Sequence, residues 1–393
     1  MRETSTPSSG HDWTPWRAVV AFGLVSLAAD MVYEGMRSAA GPFLGSLGAS
    51  ALTVGIVTGA GEAIALGLRV VAGPVADRTG RHWGLTTLGY ALTAVCVPLL
   101  AFAPLLGAAG VAFASVLMLA ERTGKAIRSP SKSTLLAGMA EPVGRGRGFA
   151  VHKALDQVGA FAAATGGLAL GFVVLAVPGV VSLVLLARLR RHAPIEPPAP
   201  HPSEQHHHEP LPRSFRLFAI SCSAGTLGLM TFGVISFAFV ESGLVAAAWA
   251  PVVYAGAMAV EAVAALGTGW IYDRAGARVL YPLPFLVAAV PALAFAQRLG
   301  PVLLGVALWG LAYGVQDSTV KALVADLVTQ RSLATAYGVF AAAQGGAALV
   351  GGALAGALYA DHLGLLVAVV GVLQLVSLAT LVPAVRHRDR FGT

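Results

Sequence analysis

Asp30, Glu34 and Arg37 stand four and three residues apart in the stretch DMVYEGMR, flanked by the apolar runs WRAVVAFGLVSLAAD and SAAGPFLGSLGAS. Two carboxylates and a guanidinium can carry a proton, lock as an ion pair, or grip a charged solute. On a helix this spacing puts all three within about 60° of arc. In lipid each would cost about 2.5 to 3.5 kcal/mol, so the stripe must look into a bundle or a watery cavity. Glu34 is within reach of Arg37 at i+3. Asp30 has no such partner in the local sequence and is the expected proton carrier, with Glu34 held by Arg37.

Few other ionisable residues interrupt apolar segments. Glu62 lies in GAGEAIALGLR with Arg69 two turns on, Asp156 follows His152 by one turn, and Glu261 stands in a later run. Each could meet a substrate or proton, or form a structural ion pair such as Asp156 with Arg122 or Lys125. The stretch ERTGKAIR, with Glu121, Arg122, Lys125 and Arg128, reads as a charged stripe suited to gating. No nucleophile with a paired base supports an enzyme. No cofactor is implied. The triplet His206-His207-His208 sits in a Pro-rich tract without the spacing of a metal site, and Cys96 and Cys222 read as small core hydrophobes.

The elements that must hold these residues follow from composition. The chain of 393 residues is 56% hydrophobic and 11% charged, with a net charge of +7, far too apolar for a soluble domain. Its basic residues come in short clusters between apolar runs, which sets orientation in a bilayer and excludes nucleic-acid binding. At about 20 apolar residues per crossing, twelve helices are predicted, all α, with both termini cytoplasmic. The first six span roughly 17 to 39, 51 to 72, 83 to 102, 105 to 125, 146 to 166 and 169 to 189. The second six span roughly 215 to 240, 246 to 270, 279 to 297, 301 to 322, 334 to 358 and 364 to 385. This arrangement puts Arg78, Arg81, Arg128, Lys132, Arg188, Arg274 and Arg386 in cytoplasmic segments and leaves Arg298 alone opposite. No cleavage site follows the first apolar run, which is expected to stay as a transmembrane helix. Residues 1–16 and 386–393 are cytoplasmic tails, 17–189 and 215–385 two six-helix bundles, and 190–214 a Pro- and His-rich linker.

The halves are related. GPVADRTGR at 73–81 matches GWIYDRAGAR at 269–278, and GFAVHKALDQVGA at 148–160 matches AYGVFAAAQGGAA at 336–348, the form of a transporter whose repeats rock about a midplane site. Gly73, Asp77, Arg78, Gly80 and Arg81 closely resemble the G-x-x-x-D-[RK]-x-G-[RK] signature of the major facilitator superfamily. Gly269, Asp273, Arg274, Gly276 and Arg278 resemble its weaker second copy. The resemblance implies a latch in which Asp77 meets the start of helix eleven, with Arg122 or Arg128 completing the cluster. It also implies a multi-pass, monomeric protein of the cell (inner) membrane that moves a small molecule by alternating access. An acid-rich cavity suits proton-coupled efflux by antiport; the family's antiporter run ending G-P-x-x-G-G is absent, Gly159 being followed by AFAAATGG. Proton symport of a small organic acid, with Arg37, Arg69 or Lys153 as its clamp, is the alternative, and a non-transporting scaffold a remote one.

Overall fold

The computed structural model describes residues 13–140, 168–192, 211–328 and 333–391, all of it helix and connecting turn among the described residues. In chain order the helices are α1 (Pro15–Ser46), α2 (Ala51–Gly67), α3 (Arg69–Thr79), α4 (His82–Leu99), α5 (Gly110–Ala140), α6 (Leu168–Val174) and α7 (Ala176–His192). The second half continues with α8 (Arg213–Leu229), α9 (Phe232–Glu241), α10 (Ala250–Ala275), α11 (Leu283–Ala294), α12 (Leu299–Leu327), α13 (Leu333–Leu358) and α14 (Leu363–Phe391). Ten stretches are long and apolar enough to cross a membrane. One of them, His82–Leu136, doubles back: Gly107 at φ 52° breaks the helix, and α4 then packs antiparallel on α5, with Gly89 against Arg128 and Thr93 beside Glu121. The expected fifth crossing at 146–166 lies outside the described residues, as do the His206–His208 triplet and Asp156.

Local chemistry sets the ends. Thr14 caps α1 through its side chain, with Pro15 at the first helical position, and Ser50 caps α2 in the same way. Gly80 closes α3 in the left-handed conformation at φ 62°, which explains the glycine of the signature loop.

Two groups of helices form. α1, α4, α5 and α7 pack together with α2 beside α5; α10 packs on α12, α8 on α14, and α11 on both α12 and α14. On the face away from the end of α7 at His192 and the start of α8 at Arg213, which mark the linker side, α1 meets α9; this is the far side. α2 meets α13 in a seam that continues toward the linker side. These seams are tight because they lack side chains: Gly55 and Gly352 face each other so closely that a Cβ on either would overlap the other's carbonyl. Among the described residues no comparable seam joins α5 to α12.

Two expectations are corrected. Helix four was expected to end near 125; α5 runs on to Ala140 and carries Arg128 and Lys132 inside the fold, Arg128 being buried. These charges can stay in the helix because Asp30, Thr93 and Ser26 meet them there. Helix seven was expected to be continuous; it is broken into α8 and α9 at Met230 and Thr231. Met230 takes φ 51° and ψ −178°, a conformation that costs a non-glycine residue on the order of 1 to 3 kcal/mol. Irregular backbone at this depth is tolerated where it lines a cavity.

Candidate functional site

Arg37 is the centre of the site. Its Nη2 lies 3.4 Å from Glu62 Oε1 and 3.4 Å from the Tyr313 hydroxyl, to which it donates. Its Nη1 donates to the Tyr254 hydroxyl at 3.1 Å and lies 3.8 Å from Glu34 Oε2. Tyr254 in turn donates to Glu34 Oε2 at 2.5 Å. Glu34 and Arg37 come from α1 and Glu62 from α2, whereas Tyr254 and Tyr313 come from α10 and α12. A single guanidinium therefore ties the two halves together. The guanidinium also stands over both tyrosine rings, 5.8 and 5.6 Å from their centroids, a geometry that adds about 0.5 to 2 kcal/mol per contact.

The tyrosines are held by aromatic packing. Phe232 contacts Tyr254 at 4.8 Å and Trp309 at 5.7 Å between centroids, and Trp309 contacts Tyr313 at 4.8 Å. Trp309, fully buried, also donates its indole N–H to the Met230 carbonyl at 3.4 Å. That contact satisfies a carbonyl at the helix break, and Thr231 beside it shares a 2.7 Å hydrogen bond with Thr58 of α2.

A second tier of charge lies along α5. Arg122 Nη2 approaches Glu62 and its Nε approaches Glu121, each at 3.8 Å. Glu121 is fully buried and accepts from Thr93 at 3.0 Å. Arg128 Nη2 lies 3.8 Å from Asp30 while its Nη1 donates to Thr93 at 2.5 Å. Tyr33 serves as a platform, with Lys125 Nζ 3.4 Å and the Arg122 guanidinium 4.4 Å from its ring centre. A cavity of about 30 Å³ opens between Arg37, Glu62 and Arg122 on one wall and Thr226, Met230, Thr231, Phe232, Gly233 and Tyr313 on the other.

The structure brings Asp30, Glu34, Arg37 and Glu62 into one charged system; the sequence placed the first three on one stripe and left Glu62 as a separate candidate. The partner that Asp30 lacks locally arrives from α5 as Arg128. Arg122 or Arg128 was expected to complete the Asp77 loop cluster; both are instead engaged with Glu62, Glu121 and Asp30, deeper in the fold. Asp77, Arg78 and Arg81 are exposed on the linker side, and Gly73 lies beside Pro130 of α5, where an added Cβ would make an ordinary contact at 3.9 Å. Arg274 lies over the Trp270 ring, 3.2 Å from its centre; the side chain of Asp273 is not among those described. Glu261 stands two turns beyond Tyr254 on α10, where Gly314 of α12 closes on its backbone. Tyr254, Tyr313, Thr226 and the Met230 break carried no charge or motif to single them out. The one available sign was a tyrosine inside each of two apolar runs.

Comparison with known proteins decides the family. The Major Facilitator Superfamily model matches residues 22–296. The chain belongs to the Major Facilitator Superfamily. An uncharacterized protein of Mycobacterium tuberculosis is 49% identical over 387 residues, covering 92% of this chain and 91% of its own length. An uncharacterized MFS-type transporter of Methanocaldococcus jannaschii is 25% identical over 364 residues, covering 87% and 88%. Among solved structures, a POT family transporter in complex with 5-aminolevulinic acid superposes with a TM-score of 0.72 at 12% identity, covering 96% of this chain and 97% of that one. The superfamily member described here is a multi-pass membrane transporter and not an enzyme.

Proposed function

We propose that this transporter moves a small molecule by alternating access in the cell membrane, with a proton as the coupling ion. The linker side is read as cytoplasmic and the far side as the closed one. The observation that carries the coupling is the Arg37 cluster, in which a carboxylate of α1, Glu34, and a hydroxyl of α10, Tyr254, share one short hydrogen bond between the halves. A proton on Glu34 removes its charge from the Arg37 system and disrupts the acceptor that Tyr254 uses. The link between the halves is thereby weakened in step with protonation. Asp30, paired to Arg128 within the first half, becomes the supporting carrier rather than the switch.

Whether proton and solute travel together depends on what the solute displaces. Efflux by antiport follows if a cationic solute competes for Glu34 and Glu62, and the sharing of Arg37 by these two carboxylates is the observation behind that reading. Uptake by symport follows if an acidic solute takes over the guanidiniums. The cavity wall favours symport, because Arg37 and Arg122 both line it against Glu62 alone. Proteoliposomes separate the two: an inward proton gradient drives accumulation of solute in a symporter and its expulsion in an antiporter. Transport indifferent to the gradient in both directions contradicts proton coupling altogether.

A further inference from the structure

We infer that the cavity holds an oxyanion-binding subsite, formed by Arg122, the Thr226 hydroxyl and the first amides of α9, which takes the carboxylate or phosphate group of the transported solute. The inference rests on the proton-coupled reading above and names the substrate class for it. Three independent features converge.

The first is an unsatisfied cation. Arg122 is 7% exposed, and its Nη1 has no hydrogen-bond partner although Nη2 and Nε face Glu62 and Glu121. A buried guanidinium donor left empty costs on the order of 1 to 3 kcal/mol, so a ligand oxygen there recovers a large term. The second is the Thr226 hydroxyl, which is also buried and without a partner and lines the same cavity. The third is the helix break. Because α8 ends at Leu229 and a new helix begins at Phe232, a helix N-terminus lies inside the protein at the cavity wall. The Thr231 side chain makes no capping bond to the α9 amides; its hydroxyl is committed to Thr58. The amides of Phe232 and Gly233 are therefore the orphan donors of this first turn, and the helix dipole favours an anion there.

Every one of these groups is a donor or a positive end. Glu62 is the acid on the cavity wall, and it stands between Arg37 and Arg122, so it is offset rather than exposed to the ligand. The volume of about 30 Å³ admits one or two oxygen-sized atoms and no whole solute. The subsite therefore receives the leading oxygens of an anionic head group, while the rest of the head group and of the solute needs the halves to part on the linker side. An anion seated on Arg122 and Arg37 competes with Glu62 and Glu34 for the same guanidiniums. A carboxylate so displaced is neutralised by a proton, which makes anion and proton bind together.

The test is thermal unfolding of the purified full chain at constant ionic strength with succinate, glycerol 3-phosphate, tetraphenylphosphonium or sucrose. The expected result is a rise on the order of 2 °C with succinate or glycerol 3-phosphate, and none with the other two; which of the two anions acts tells carboxylate from phosphate. Thr226→Val should leave the unliganded protein as stable as before, its hydroxyl having no partner to lose, yet require about tenfold more anion for the same rise. Arg122→Gln should abolish the rise, and Arg213→Gln, at an exposed arginine on the linker side, should keep it. Should Arg122→Gln not fold, Thr226→Val decides. No stabilisation by either anion, or a rise of unchanged concentration dependence in Thr226→Val, overturns the subsite. A rise that behaves as expected in a protein showing no proton flux upholds the subsite and refutes the coupling instead.

Discussion

Along α1, α2 and α5 the first half carries Asp30, Glu34, Glu62 and Glu121 against Arg37, Arg122, Lys125, Arg128 and Lys132, whereas the facing wall of α10 and α12 meets Arg37 with two tyrosine hydroxyls on an aromatic shelf. The difference bears on how the halves separate. Had an ion pair bridged them, each opening would strand a charge away from its partner, at about 3 to 5 kcal/mol. Parting from a hydroxyl costs about 1.5 to 3 kcal/mol, even when the other partner is charged. Fixed charge on one side and neutral hydroxyls on the other make a link that senses protonation and still opens.

Removing the hub tests this contrast most severely. Arg37→Met leaves Glu34 and Glu62 without their shared cation, and should lower stability by about 3 kcal/mol and abolish transport, read by thermal unfolding and by solute uptake into proteoliposomes. Retained uptake would mean that the halves are coupled elsewhere. On the neutral side, Tyr254→Phe deletes one oxygen and keeps the aromatic shelf. It should slow coupled transport about tenfold, corresponding to about 1.4 kcal/mol, with a smaller loss of stability.

Asp30→Asn sharpens the distinction between pairs within one half and links between halves. Its partner Arg128 keeps Thr93, so proton-driven transport should fall less than with Glu34→Gln, by a few-fold in initial rate; an equal or larger fall would move the switch to Asp30. The smallest effect belongs to Asp77→Asn. Asp77 is exposed on the linker side, so stability should change by no more than about 0.5 kcal/mol, while cysteine accessibility on the two faces shifts between states if the signature loop acts as a latch.

Much of this was legible from residue types. The stripe Asp30, Glu34, Arg37 had to face inward because lipid would penalise it, and it does. Glu62 could be named as a candidate because acids within apolar runs are few, though its pairing with Arg37 could not. The repeat and the glycine of GPVADRTGR pointed to the superfamily, and Gly80 takes the left-handed conformation the loop requires. Partners across the bundle were not legible. Nothing in the local sequence pairs Asp30 with Arg128 or Glu34 with Tyr254, because those contacts come from helices about 100 and 220 residues away. The break at Met230 escaped notice for a similar reason. Neither Gly nor Pro occupies the position, and the strain there is held by Trp309 and Thr58 from other helices. Helix four looked shorter than it is, since Arg128 and Lys132 read as loop charges until their buried partners were in view.

The central claim is that Glu34 transmits protonation between the halves. It is tested most directly with a pH-sensitive dye trapped in proteoliposomes, using whichever solute gives the largest thermal shift. Adding that solute outside should acidify the lumen with the wild-type protein, and Glu34→Gln should lose the acidification while still binding the solute. Acidification at the wild-type rate in Glu34→Gln would contradict the account.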